Sequence, residues 1–347
     1  MSKFLSIGYG NVGQAVPERA KAELGLEHSE FIVRRDGVHQ LNADKTSRLI
    51  DDQADFWEIS EVMKDVKIAF NTLPSNQGER SLEILRQLSD MDIPVITAEK
   101  GALSQYYEEI KKEGLLEYLG RAATVGGRTG MLEWIPAQIN NRTSQIHLIV
   151  NGTLNYIVDG ISNRRTPGQV IDEAVKLGYA EPGATDHLDV LNGELIGDIP
   201  KKALILIKIA LMNTVFFDND QSVLPSDLKQ TPLDRDSWHR LVQEAKIRRY
   251  ILSFIRKEDE MPESDIIAPL RKEFKTKSGI TVVSGGFRRI HDNPLLSYLN
   301  LPGTRNGAVM TGGDNESDGI LVLSAEGAGP GPTATAMVND ARKFITG

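Results

Sequence analysis

Between Gly178 and Lys202 the chain reads GYAEPGATDHLDVLNGELIGDIPKK, which spaces Glu181, Asp198 and Lys202 along one segment. Residues four apart are neighbours on a helix surface, so Asp198 and Lys202 share a face if this stretch is helical. Glu181 precedes that helix and can close a pocket from a loop. A lysine held by a carboxylate suits removal of a proton from an alcohol oxygen as hydride leaves carbon. Burial and a second nearby cation would draw its basicity toward neutrality, and Lys100 is the candidate for that second charge. Glu181 would then pair with a substrate ammonium. The implied substrate is a small molecule with an ammonium at one end and an oxidisable hydroxyl at the other. The plain alternative for Asp198 and Lys202 is a surface ion pair contributing about 0.2–0.5 kcal/mol.

Such chemistry needs a hydride carrier, and the N-terminus holds a fingerprint for one. Gly8-Tyr9-Gly10-Asn11-Val12-Gly13 follows the short apolar strand Phe4-Leu5-Ser6-Ile7 and opens a helix. In that context Gly8 allows the tight turn, Gly10 the approach of backbone to pyrophosphate, and Gly13 close helix-to-strand packing. The helix start, with Asn11 and Val12, offers N–H groups and a favourable dipole to phosphate. Thr72, just past the apolar run 68–71, joins the same cofactor-binding set. After the second strand, Phe31-Ile32-Val33, comes Arg34-Arg35-Asp36. Arginines suit a 2′-phosphate and so favour NADP, whereas Asp36 on the ribose 2′-OH would admit NAD.

Repeated strand–helix units in the first third predict an α/β fold with a doubly wound, Rossmann-type parallel sheet. We place this dinucleotide-binding domain at about residues 1–142. From 143 to 324 the pattern predicts an α+β domain that carries the candidate substrate-binding and catalytic residues. It begins with a strand at 145–150, is helical to about residue 212, and carries β-rich runs at 266–290 and 307–323. Residues 216–236 are polar and contain proline, and read as a long loop or lid. The Gly/Pro-rich turn from Gly327 opens a last helix.

The 347 residues are 40% hydrophobic and 25% charged, an ordinary globular composition. A net charge of −8 argues against binding to nucleic acid or an anionic membrane. With no cysteine, disulfides, thiol nucleophiles and thiolate metal sites are excluded, which suits a reducing cytoplasm. The six histidines lack metal-ligand spacing, so no metal site is expected. No apolar run is long enough to span a bilayer, and no signal peptide is expected ahead of the first strand.

An ordered set of motifs resembles the homoserine dehydrogenase family: GYGNVG at 8–13, TAEK at 97–100, ATVGG at 123–127, NGTLNYI at 151–157, LGYAEP at 177–182, GDIPKKALIL at 197–206 and GAGPGPTATAMVND at 327–340. The resemblance covers nearly the whole chain. It implies NAD(P)-dependent interconversion of L-homoserine and L-aspartate 4-semialdehyde in the biosynthesis of threonine and methionine, by a homodimer in which residues 143–324 also serve dimerisation and about 325–347 return to complete the cofactor domain. Carried over, Lys202 is the catalytic lysine, Asp198 its acidic partner, and Lys100 lies near the nicotinamide. Glu181 holds the substrate amino group, Thr153 and Tyr179 lie in substrate-domain motifs, and Gly327 belongs to the turn that returns to the cofactor.

The chain also departs from the family. The segment between Glu181 and Asp198 is enlarged, and Asp186 and Asp189 compete for a further acidic position. Glu99 replaces an asparagine, which would set an anion beside the cofactor. The carbonyls of Val125 and Gly127 are candidates for a monovalent cation. These changes keep open a related dehydrogenase of another small amino or hydroxy acid, or a catalytically silent nucleotide-binding paralogue.

Overall fold

The computed structural model describes residues 2–42, 44–52, 55–180, 186–259, 265–311 and 319–345. The chain divides into two compact units, Met1–Thr124 with Pro330–Gly347, and Val125–Gly329. Among the described residues no helix is long and apolar enough to cross a membrane.

The first unit is built on seven strands: β1 (Lys3–Ile7), β2 (Glu27–Arg34), β3 (Gly37–Leu41), β4 (Ser47–Asp51), β5 (Val66–Asn71), β6 (Val95–Thr97) and β7 (Leu119–Gly120). Their order is β4-β3-β2-β1-β5-β6-β7. The five strands from β2 to β7 in that order are parallel, as expected of βα units. Central strands covered on both faces need apolar side chains at successive positions, hence the fully buried runs Phe4-Leu5 and Ile68-Ala69. The last helix, Pro330–Ile345, buries Ala334, Met337, Val338 and Ala341, the spacing of one helix face. That face packs on Phe4, Ile68, Phe70 and Ile96 beside Val16 and Ala20 of the helix Asn11–Leu24. The returning C-terminal helix is therefore present.

One element departs from the doubly wound pattern. After β2 the chain does not cross over through a helix; it folds back as the antiparallel pair β3 and β4. Arg34 pairs with Gly37, leaving Arg35 and Asp36 as a two-residue hairpin loop. Gly37 has φ +124°, and a side chain there would run into the Asp51 carbonyl. Asp-Gly between apolar runs is a hairpin signal, and it was readable in the sequence.

The second unit carries six antiparallel strands: β8 (Gln145–Ile149), β9 (Arg248–Arg256), β10 (Ile267–Thr276), β11 (Gly279–Arg289), β12 (Arg305–Thr311) and β13 (Ile320–Glu326). Their order is β10-β11-β9-β8-β12-β13. Sequence patterning missed β9, which lies inside the sheet. It is buried on both faces and so lacks polar alternation. One face, through Tyr250 and Phe287, meets Leu154, Ile157, Val170, Ile171 and Leu241 from the helices Gly152–Ser162, Pro167–Lys176 and Arg235–Glu244. The other face sets Ile149, Ile251 and Val309 against Leu295, Leu296 and Leu299.

Residues 216–236 form the expected long loop up to the helix that starts at Arg235, but this loop is pinned to the sheet and does not stand free as a lid. Phe216 and Phe217 are fully buried, the Phe217 ring meets Phe254 and Phe274 edge-on, and the Thr281 hydroxyl donates to the Phe216 carbonyl at 2.6 Å. Two adjacent aromatic rings withdrawn from water outweigh the polar residues around them.

His147 on β8 is also fully enclosed. Its Nε2–H donates to Gln145 Oε1 at 3.0 Å, and its Nδ1 accepts from the Ser253 hydroxyl at 2.7 Å. Burial, with Arg288 as a cationic neighbour, pushes the imidazole pKa down to about 3. The unfolded chain takes up this proton near pH 6.5, and the folded chain refuses it until far lower pH. Stability is therefore lost as pH falls below 6.5, by about 2 kcal/mol from this group between about pH 7 and 5. Chemical denaturation across that range should show the decline, and His147→Asn should flatten it. An unchanged slope in the variant would contradict the assignment.

Candidate functional site

The residues expected at the reacting end come together at the junction where β8 turns into the helix Gly152–Ser162. Asn151 caps this helix, its Oδ1 accepting from Leu154 N at 2.8 Å. Its amide nitrogen has two donors, and they go to two carboxylates: Glu194 Oε2 at 2.6 Å and Asp198 Oδ2 at 2.9 Å. Lys202 reaches the same junction. Its Nζ lies 2.6 Å from Asp198 Oδ2 and donates to the Val150 carbonyl at 2.7 Å. The side chains of Asp198 and Lys202 are only 17% and 14% exposed, so the surface ion-pair reading fails.

A distorted helix delivers these groups. From His187 to Leu211 the chain is helical throughout, with π turns at Gly193–Asp198 and Leu206–Leu211. The first π turn immediately precedes Ile199-Pro200. Proline has no N–H to offer, and a widened turn absorbs that missing bond. Such turns collect at functional sites. Here the widened turn ends at Asp198 and holds both carboxylates against Asn151.

Glu194 and Asn151 were not among the expected site residues. The signal for Glu194 was present: Glu194, Asp198 and Lys202 fall four apart on one helical face. Asn151 precedes a helix, which marks it as a cap but does not reveal what its amide touches. Asp186 is settled differently. It caps the helix His187–Asn192, accepting from Asp189 N at 2.8 Å.

Of the substrate-side residues, Thr153 is buried and its hydroxyl donates to the Tyr179 carbonyl at 2.6 Å. The Tyr179 ring meets Tyr156 edge-on. These contacts anchor the chain as it enters residue 181, and Glu181 itself lies outside the described residues. Gly327 belongs to this second unit, its N–H donating to the Thr304 carbonyl at 2.9 Å.

In the first unit the carboxyl edge of the parallel sheet gathers the residues expected to meet the nucleotide. Gly8 follows β1 with φ +81°, and a side chain there would overlap the Thr72 backbone. Thr72 follows β5 and its hydroxyl donates to the Gly8 carbonyl at 2.9 Å. Gly10 caps the helix Asn11–Leu24 without a side-chain partner, and its first turn, with Asn11, Val12 and Gly13, has no acidic residue. This leaves an uncrowded, electropositive helix start with the build of a phosphate cradle. Arg34 ends β2 and Arg35 is exposed in the loop beyond it. Lys100 follows β6 on the same edge and caps the short helix Gly101–Gln105.

Glu99 does not add an anion beside that edge. It is fully buried, and its carboxylate accepts from the N–H groups of Gly101 and Ala102, the latter at 2.9 Å. Burial pushes its pKa up, and those backbone bonds oppose the shift. The side chain turns inward because a carboxylate two residues before a helix finds unsatisfied donors there.

The sequence profile of the homoserine dehydrogenase family matches residues 136–341, more than half of the chain. A homoserine dehydrogenase of Sulfurisphaera tokodaii is 29% identical over 222 residues, which cover 61% of this chain and 70% of the relative. Among solved structures, homoserine dehydrogenase from Thermoplasma acidophilum aligns with a TM-score of 0.64 at 18% identity, covering 100% of this chain and 99% of that one. A hyperthermophilic archaeal homoserine dehydrogenase in complex with NADPH aligns with a TM-score of 0.63 at 20% identity, covering 100% and 98%. At these identities the two structures speak for the fold.

Asn151→Ala removes a helix cap and the donor shared by two carboxylates. The expected cost is about 1–3 kcal/mol, measured by urea denaturation. Asn151→Ser keeps a capping oxygen and should lose less. Equal losses would mean that the carboxylate contact carries the whole effect and the cap none of it.

Proposed function

The chain belongs to the homoserine dehydrogenase family, and we propose that it interconverts L-homoserine and L-aspartate 4-semialdehyde by hydride transfer, with NADP as the favoured carrier. The observation that carries the mechanism is the partly buried Asp198–Lys202 pair held by Val150 and Asn151. The first unit is assigned to the cofactor and the second to the substrate.

The residues present fit a dinucleotide. Gly8, Gly10, Asn11, Val12 and Gly13 would hold its pyrophosphate, Thr72 supports the Gly8 turn, and Arg34 and Arg35 suit a 2′-phosphate. When bound, the nicotinamide supplies the hydride chemistry. Lys202 has two of its contacts fixed, to Asp198 and Val150, and a further one is assigned to the substrate's hydroxyl oxygen. In the oxidative direction Lys202, as the amine, takes the hydroxyl proton while the carbon loses hydride; in the reductive direction the ammonium returns it. Asp198 fixes the position of Nζ, and Asn151 fixes Asp198. Glu181 is assigned to the substrate ammonium, with Thr153 and Tyr179 anchoring the approach to it. Lys100, at the carboxyl edge of the parallel sheet, is assigned to the cofactor side of the reaction, where ligands of open α/β sheets lie.

A homodimer is part of the same reading. Strand β13 is an edge, and Ile320 and Val322 on it are 43% and 45% exposed. An apolar edge of this kind is a liability unless it is covered. The lack of cysteine suits a reducing cytoplasm.

Nicotinamide absorbance with L-homoserine and NADP, or with the semialdehyde and NADPH, tests the proposal. Lys202→Ala should lower kcat about 10²–10⁴-fold while the affinity for NADPH, titrated by fluorescence, stays within about twofold. A variant that keeps its kcat would remove Lys202 from the chemistry.

A further inference from the structure

The loop after β2 holds both residue types that choose between cofactors: an acid suited to a ribose hydroxyl and arginines suited to a 2′-phosphate. A third residue links them. His39, on β3, is almost wholly buried, with its side chain 7% exposed, whereas the Asp36 side chain is 66% exposed. The ring is thus the fixed partner and the carboxylate the one that is drawn to it. His39 Nε2 lies 2.9 Å from Asp36 Oδ1. On the other side of the ring, Nδ1 is 3.4 Å from the Ser47 hydroxyl on β4, and that oxygen lies 3.4 Å from Arg34 Nη1.

Donor and acceptor requirements run one way through this chain of groups. Arginine can only donate and the carboxylate can only accept. With a neutral imidazole, Arg34 donates to Ser47, the Ser47 hydroxyl to His39 Nδ1, and His39 Nε2–H to Asp36. The contacts are unequal. The 2.9 Å bond at Asp36 has ordinary hydrogen-bond length, while the two at 3.4 Å are long and weak. The bond from His39 also holds the Asp36 carboxyl below its usual range. The acid is committed to a neighbour on its own hairpin, and the guanidinium is bound loosely enough to be recruited by a phosphate.

We infer that His39 is a positioning residue for cofactor choice: by taking up Asp36 it withholds the acid from the ribose and leaves the 2′-position to Arg34. This rests on the dinucleotide reading of the first unit. The hairpin supplies the device, because β3 and β4 stand where a doubly wound sheet would continue through a helix. A helix there would offer no adjacent strand from which His39 and Ser47 could reach the loop.

Calorimetric titration with NADPH and with NADH tests this without turnover. In His39→Leu, the released carboxylate should favour the ribose hydroxyl and repel a 2′-phosphate, lowering the NADPH-to-NADH affinity ratio by about tenfold. Adding Asp36→Asn to that variant should restore the ratio. Asp36→Asn alone, at an exposed position, should leave it nearly unchanged, because His39 already holds the acid; this variant keeps the test open if His39→Leu fails to fold. Equal weakening of both cofactors in His39→Leu, no restoration in the double variant, or a tenfold rise in the ratio for Asp36→Asn alone would each overturn the inference. A wild-type chain that binds neither cofactor would overturn the dinucleotide reading itself, and this inference with it.

Discussion

A carboxylate and an ammonium largely shielded from water must have their polar atoms answered, and one junction of the second unit answers those of Asp198 and Lys202. Breaking such a pair leaves an uncompensated charge, which costs far more than the pair itself contributes. The answers come from one point in the chain, the Val150 carbonyl and the Asn151 amide, where β8 gives way to a helix. That junction is itself held in place. Asn155 donates to the carbonyls of Leu301 and Gly303, and Asp159 accepts from Gly303 N, so the helix is tied to the segment leading into β12. The position of one lysine nitrogen thus depends on strand ends, a helix cap and a π turn acting together.

The first unit solves a different electrostatic problem. The whole chain is acidic, yet the cofactor proposed for it requires one edge of the parallel sheet to accept a phosphate. The fold achieves this with backbone and with the placing of charge. The helix after β1 begins with glycine and carries no acid in its first turn. Glu99, which falls close by in sequence, is turned into the interior to satisfy backbone donors. Asp36 is drawn onto His39. Two anions that composition alone would count against a phosphate are each occupied by a neighbour.

Several elements were legible in the sequence because a local rule governs them. The glycine fingerprint was one, since a turn with φ +81° beside another strand admits no side chain. The face of the last helix was another, marked by Ala334, Met337, Val338 and Ala341. The hidden elements were those in which burial overrides pattern. β9 lacks alternation because both its faces are covered, and the polar stretch around Phe216 and Phe217 is held by two buried rings.

What the sequence by itself determined was the set of chemical groups: a glycine turn opening a helix, arginines after the second strand, and a carboxylate–lysine face on a helix, in an order that resembles one family. These follow from residue types at short spacings, where geometry is nearly fixed by the backbone. Only the tertiary structure decided what each group touches. That Lys202 meets the carbonyl of residue 150, that Glu194 shares the Asn151 amide with Asp198, and that His39 stands between Asp36 and Ser47 all depend on residues distant in sequence or on neighbouring strands. Spacing along one helix or strand constrains contacts within that element. Contacts between elements arise from register and packing, which are properties of the assembled fold.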